Sequence, residues 1–334
     1  MPITGLGPHG ERAAPPTRVT LSDDDISAAR ALKASVAVVF HTTDSDWSRQ
    51  QLAGMTGALG ECGIVVNEIV DCAFDADRQI AELDRIAQSS VDAVISIPVA
   101  NTTVADAHKD LSQSGKHLIL NDNVPTGLLP SRDYTSLVSA DNFGLGLIAA
   151  ELLSPHLPNG AEIGILTFGV DFYATNEREI AFGRHLRAVR ADLKVYTKRF
   201  ADPKVAGDAA LDLLKTNPGI AGLFVVWDDP ALDVADALKS HGISLPITTV
   251  DLGYDAAVRL SASDMIVGIA AQQPYQQGLT AARAAALSLL ERPVPSWIAL
   301  PGLPVTRENV IESYQTIWNS AAPPQVLASI RNQS

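Results

Sequence analysis

From Ser35 to about residue 271 the chain alternates short apolar runs with longer amphipathic stretches, and this pattern restricts the fold more than any other feature. The apolar runs fall at 36–40, 64–70, 93–97, 117–121, 163–168, 193–200, 223–227, 247–251 and 265–271. Between most of them apolar residues recur at helical spacing, for example over 47–61, 75–88, 102–114, 142–153, 175–190, 203–215 and 230–240. Mostly apolar strands alternating with helices predict parallel sheets covered on both faces. Nine such strands within 334 residues are housed more easily in two lobes than in one.

Punctuation suggests where the chain passes between lobes. Residues 123–138 form the longest interior interruption, rich in turn formers, and Ser139-Ala140-Asp141-Asn142 then opens a helix, so the first passage is placed there. Pro293, Pro295, Pro301 and Pro304 break the chain before a last helix over 308–318, a second candidate crossing. The first residues are Pro- and Gly-rich and expected to be mobile; Ser22 or an aspartate after it would cap a short helix over 26–32. Gly5-Leu6-Gly7-Pro8-His9-Gly10 spells GxGxxG, but no strand precedes it and a proline interrupts it, so it is no nucleotide fingerprint.

A formal net charge of -13 argues against a nucleic-acid surface and against binding anionic lipid. No apolar stretch approaches the roughly 18 residues of a spanning helix, and no basic segment leads into an apolar core at the start, so neither membrane insertion nor a secretory signal in this chain is expected. Cys62 and Cys72 read as unpaired structural thiols. His41 with Asp44 and Asp46 lacks a second histidine at ligand spacing and reads as a solvated loop, not a metal site. With no GxSxG elbow, P-loop or Cys/His signature, neither a cofactor nor an enzymatic reaction is expected.

The segment from Phe40 to Ser48 follows the first strand, at the carboxyl end where open parallel sheets bind ligands. It holds no glycine with which to cradle a phosphate. Its hydroxyls, carboxylates and indole suit a neutral ligand with many hydroxyls and an apolar face. Taken with Asn121-Asp122-Asn123, Ser139-Ala140-Asp141-Asn142, Trp227-Asp228-Asp229, Thr249-Val250-Asp251 and Ala271-Gln272-Gln273-Pro274, it makes six fragments in one order and spacing. In that order the chain, from 35 to about 306, resembles the ribose-type periplasmic binding proteins.

The resemblance implies an α/β fold of two Rossmann-like lobes with parallel sheets joined by a three-strand hinge. It divides the chain into an extension, 1–34, one lobe of 35–141 plus 273–302, and another of 142–272 plus 303–320. It further implies a monomeric periplasmic protein that captures a neutral monosaccharide or sugar alcohol by hinge closure and passes it to the permease of an ABC importer. Carried over by position, the ligand-facing residues are Ser45, Asp46, Trp47, Ser48, Asp122, Asn123, Asn176, Trp227, Asp228, Asp251 and Gln272. Carboxylates can each accept from two hydroxyls, Asn and Gln pair hydroxyls in either sense, and indoles cover the C–H faces of a sugar.

This chain departs from the family where arginines are usual, at Asn123 and Asn176, where phenylalanines are usual, at Trp47 and Ser48, and where asparagine is usual, at Trp227. Losing two guanidinium groups turns the expectation away from an anionic sugar acid. Each residue also has a plainer role open to it. Ser45, Asp46, Ser48, Asp228 and Asp229 are good helix-start residues, and Trp47 could simply pack on the core. Asp122 and Asp251 could form turns, and Asn123, Asn176 and Gln272 have turn, helix-surface and hinge readings. A sugar-sensing transcription regulator built on the same lobes is the alternative; it needs a helix-turn-helix module, which the Pro-rich, acidic residues before Ser35 do not supply.

Overall fold

The computed structural model describes residues 2–331. Two six-stranded sheets organise it. The first contains β1 (Ser35–Phe40), β2 (Val65–Asp71), β3 (Ala93–Ser96), β4 (His117–Asn121), β5 (Ser136–Ala140) and β11 (Trp297–Leu300), in the order β11-β5-β4-β3-β1-β2 and parallel throughout. The second contains β6 (Glu162–Phe168), β7 (Lys194–Phe200), β8 (Ile220–Val225), β9 (Ile247–Val250), β10 (Ile266–Ala271) and β12 (Leu303–Val305), in the order β12-β10-β9-β8-β6-β7. Only β12 runs antiparallel to its neighbour, β10. The nine apolar runs of the sequence form nine of these strands.

The other three, β5, β11 and β12, lie where the sequence shows turn formers and prolines. They flank the crossings. The chain passes between lobes at Asp141, after β5; at 272–273, after β10; and at 301–302, between β11 and β12. β1 is buried along Val36–Phe40, and each Val or Phe side chain removed from water there contributes about 1.5–3 kcal/mol.

Two close helix pairs stiffen the lobes beside these crossings. In the first lobe α2 (Asp46–Glu61) packs on α10 (Pro274–Leu289), where a Cβ on Gly54 would lie 2.1 Å from the Tyr275 carbonyl oxygen and one on Gly278 would lie 2.1 Å from that of Gln51. In the second, α5 (Asn142–Leu153) packs on α6 (Tyr173–Val189), and a Cβ on Gly146 would lie 2.3 Å from the Arg178 carbonyl oxygen. Backbone meets backbone at each place.

The Pro- and Gly-rich start is docked, which corrects the expectation of a mobile segment. The Asp141 carboxylate accepts from the Thr4 N–H (2.7 Å), the Thr4 hydroxyl (3.0 Å) and the Gly5 N–H (3.0 Å) while also capping α5 through the Gly144 N–H. Tyr173 donates its hydroxyl to the Leu6 carbonyl, and Ala14 pairs with β11 through Trp297 and Ala299. Proline and glycine weaken regular structure but not the capacity of a backbone to bond a fixed partner, here a buried hinge carboxylate. Ser22 caps α1 (Asp23–Leu32) in a reciprocal pair with Asp25. Cys62 and Cys72 are buried free thiols, and burial pushes the Cys72 pKa up to about 12. No helix among the described residues is long and apolar enough to cross a membrane.

Candidate functional site

The carboxyl ends of both sheets face each other across the crossings, and each presents an aspartate by the same device. Asp122 directly follows β4 and Asp251 directly follows β9; both adopt left-handed backbone conformations, with φ of 60° and 73°. Each still bonds the neighbouring strand through its N–H, Asp122 to Val138 and Asp251 to Ala270. Aspartate is among the few non-glycine residues that tolerate this region, and the turn lifts each carboxylate out of its sheet.

Asp122 belongs to a buried network. Its Oδ1 accepts from Asn142 Nδ2, Gln277 Nε2 and the Ala140 N–H, each at 3.4 Å, and its Oδ2 lies 4.0 Å from Arg178 Nη2. Arg178 comes from α6 and is held by Asn142 Oδ1 at 2.9 Å and the Val226 carbonyl at 2.9 Å. Gln277 also reaches Asn121, which donates to Gln51. Burial raises the Asp122 pKa and the nearby guanidinium opposes it.

Asp251 accepts from Gln272 Nε2 at 2.6 Å, and Gln272 Oε1 is buried without a partner. Asp228, the first residue of α8 (Asp228–Ser240), accepts from the Gly253 N–H at 2.8 Å and the Asp229 N–H at 3.0 Å. Burial, then the charges of Asp251 and Asp229, lift the Asp228 pKa well above the ordinary carboxylate range. Burial also lifts Asp251, to about 6, against the pull of Arg178. Trp47 completes this side: a small cavity is lined by Trp47, Asp251, Gly253, Gln272, Pro274 and Trp318, and the Trp47 Nε1–H is buried without an acceptor. The arrangement therefore offers carboxylates, one guanidinium, amides and an indole to a small polar molecule.

The other sequence-derived candidates stand elsewhere. Ser45 caps α2 by accepting from the Ser48 N–H at 3.1 Å, and its hydroxyl donates to that of Ser48, so the pair serves the helix start. Asp46 reaches across to the Tyr254 N–H at 2.8 Å, at the start of α9 (Tyr254–Ala262), and pairs with Arg49. Asn123 is buried between the Pro98 carbonyl at 3.0 Å and the Tyr173 N–H at 2.9 Å, again joining the lobes. Asn176 is the clearest departure from expectation. It bonds Asp171 at 2.6 Å and lines a surface groove with Glu179, Ile180 and Arg199, away from the buried carboxylates.

Arg178 takes the inner position instead. Two residues along a helix amount to about 200° of rotation, so Asn176 faces outward while Arg178 faces the network. The expected loss of two guanidinium groups is thus corrected: one is present, already engaged by Asn142, Val226 and Asp122. Trp227 packs edge-on against Phe168 and Phe200, with ring centroids 5.4 and 5.3 Å away. Phe74, Phe168 and His41 continue these rings toward Trp47. His41, expected in a solvated loop, is enclosed by Trp47, Phe74 and Phe172, and burial lowers its pKa to about 4. Asn142, Arg178 and Gln277 were not singled out as ligand-facing from sequence; Gln277 shares a helix face with Ala281, Ala284 and Ala285, and a polar residue on that apolar face was the available signal.

Comparison with known proteins agrees with this architecture. The ribose import binding protein of Bacillus subtilis (strain 168) is 26% identical over 235 residues, covering 70% of this chain and 74% of that protein. A carbohydrate transporter solute binding protein from Agrobacterium radiobacter, solved in complex with D-arabinose, superposes with a TM-score of 0.77 at 21% identity, covering 86% of this chain and 99% of that one. The Caulobacter myo-inositol binding protein bound to myo-inositol gives 0.76 at 22% identity, covering 84% and 95%. At these identities the two structures establish the shared fold. The periplasmic binding protein domain matches residues 36–291, most of the chain, and this protein therefore belongs to the periplasmic binding protein family.

Proposed function

We propose that this protein captures a monosaccharide or sugar alcohol between its lobes and delivers it, as a periplasmic monomer, to the permease of an ABC importer. The observation that carries the reading is the set of buried polar atoms at the carboxyl ends of both sheets. Three aspartates, Arg178 and Gln272 are almost entirely buried there, with Gln272 Oε1 and the Trp47 Nε1–H unpartnered. Such atoms cost about 1–3 kcal/mol each when left unmatched, and a polyol supplies donors and acceptors together. The ligand-facing set is Trp47, Asp122, Arg178, Asp228, Asp251 and Gln272. With Arg178 already paired, a sugar acid is disfavoured.

Closure follows from the bonds that span the lobes. Asp46 to Tyr254, Asn123 to Tyr173 and Asn101 to Asp171 hold the lobes together in this structure, and a ligand touching both walls would favour such a closed state by its differential contacts. Family membership and the import role named for the Bacillus relative support delivery to a transporter. Trp47 makes a direct reporter. Titration of tryptophan fluorescence with pentoses, hexoses and polyols gives a saturable change and a raised melting temperature for at least one. No response and no thermal shift with any of them refutes the reading.

A further inference from the structure

We infer that the polyol this cleft prefers carries a protonated amine in place of one hydroxyl, lodged against Asp251 and the unpartnered Oε1 of Gln272, with Asp228 as the neighbouring buried carboxylate. The inference rests on the polyol reading above and narrows it. Charge is the first ground: Asp122, Asp228 and Asp251 are at most 8% exposed, against one buried guanidinium. Arg178 approaches Asp122, whereas among the described residues neither Asp228 nor Asp251 forms an ion pair. Buried carboxylates without a cation are costly and take up protons instead, and a bound cation would let them keep their charge.

Hydrogen-bond capacity is the second, independent ground. Asp251 uses one carboxylate oxygen on Gln272, and among the described residues neither its other oxygen nor Gln272 Oε1 has a donor. Turning the Gln272 amide over would set its oxygen against the carboxylate, so the acceptor stays exposed to the cavity that both residues line. A hydroxyl has one hydrogen to give; an ammonium group has three, with a positive charge. One ammonium can therefore donate to Asp251 and Gln272 from a single atom and set a charge near Asp228, where a neutral parent sugar must bring more than one hydroxyl to the same place.

The test is calorimetric titration of the full chain with matched pairs. Glucose, galactose, mannose and myo-inositol are set against their 2-, 3- and 6-amino-deoxy forms and the inosamines. At least one amine binds tenfold or more tightly than its parent, and Asp228→Asn and Asp251→Asn each collapse that ratio toward one. Each variant is first checked for a wild-type circular dichroism spectrum, and either one suffices if the other fails to fold. If neutral parents bind and every amine binds equally or more weakly, the inference falls while the polyol reading stands. A preference untouched by both substitutions overturns the placement of the amine. If neither parents nor amines bind, both readings fall.

Discussion

Gly146 and Gly57 offer one substitution with opposite consequences. Both lie inside helices, α5 and α2, and replacing either with alanine removes the glycine penalty of about 1 kcal/mol. At Gly57 a Cβ meets nothing within 4 Å, so that gain stands alone. At Gly146 the new carbon would sit 2.3 Å from the Arg178 carbonyl oxygen and 2.8 Å from the Ala181 Cβ. That is about 1 Å short of ordinary contact, and the obstacle is backbone, so α5 and α6 must part. Overpacking typically costs 1–3 kcal/mol, and a rigid obstacle puts this site near the upper end. Gly146→Ala should therefore lose about 2 kcal/mol net, and the two variants should differ by about 3 kcal/mol in urea unfolding followed by circular dichroism. Because Arg178 rides on the displaced segment, Gly146→Ala should also weaken polyol binding, whereas Gly57→Ala should not. A Gly146→Ala protein as stable as wild type would refute the close approach and the positioning role assigned to it.

Trp47→Ala should weaken sugar binding tenfold or more, about 1.4 kcal/mol per decade, with an unchanged circular dichroism spectrum; unchanged affinity in a fluorescence or calorimetric titration would make it a packing residue only. Asp251, lifted to about 6, holds a proton in the folded protein between roughly pH 4 and 6 that the unfolded chain has released, so its contribution to stability grows as pH falls through 6 and shrinks as pH rises. His41 and His108, lowered to about 4, act in the opposite sense over nearly the same window. The difference between wild type and Asp251→Asn isolates the aspartate, and wild type should gain on the variant from pH 7.5 to 5; a flat difference refutes the shift. Cys62 and Cys72 should react with a thiol reagent only after denaturation, both together; rapid labelling of the native protein would contradict their burial.

What the sequence disclosed follows from how each element is stabilised. The inner strands β1, β3, β4, β6, β8, β9 and β10 announce themselves because burial on both faces demands apolar runs, and the half-exposed edge strands β2 and β7 by the apolar residues that interleave their charges. β5, β11 and β12 do not, although β5 and β11 are as buried as those inner strands, because they are set among prolines and turn formers with no amphipathic helix between β4 and β5 or between β11 and β12 to mark the alternation. Pro304 is tolerated because β12 lies at a sheet edge, where a missing N–H costs little. Within the proposed ligand-facing set, Asp122, Asp251 and Gln272 could be picked out from sequence because they stand at strand ends and crossings. Asn176 and Arg178 were not separable: a shift of two residues reverses a helical face, and only packing against α5 decides which face turns inward. Asp46 and Asn123 are cross-lobe contacts for a related reason. Their partners, the N–H groups of Tyr254 and Tyr173, are backbone atoms that no side-chain pattern reveals.

The docked start of the chain has a consequence for crowding. β11 is the outermost strand of the first sheet, and such an edge is a template on which a second copy can lay a strand. Ala14 occupies it with two hydrogen bonds, and Pro15 and Pro16, which have no N–H to give, stop the pairing from lengthening into a new sticky edge. The segment thus acts as a colloidal shield: at high local concentration the sheet keeps its β11 edge closed to neighbours for as long as residues 2–14 stay seated.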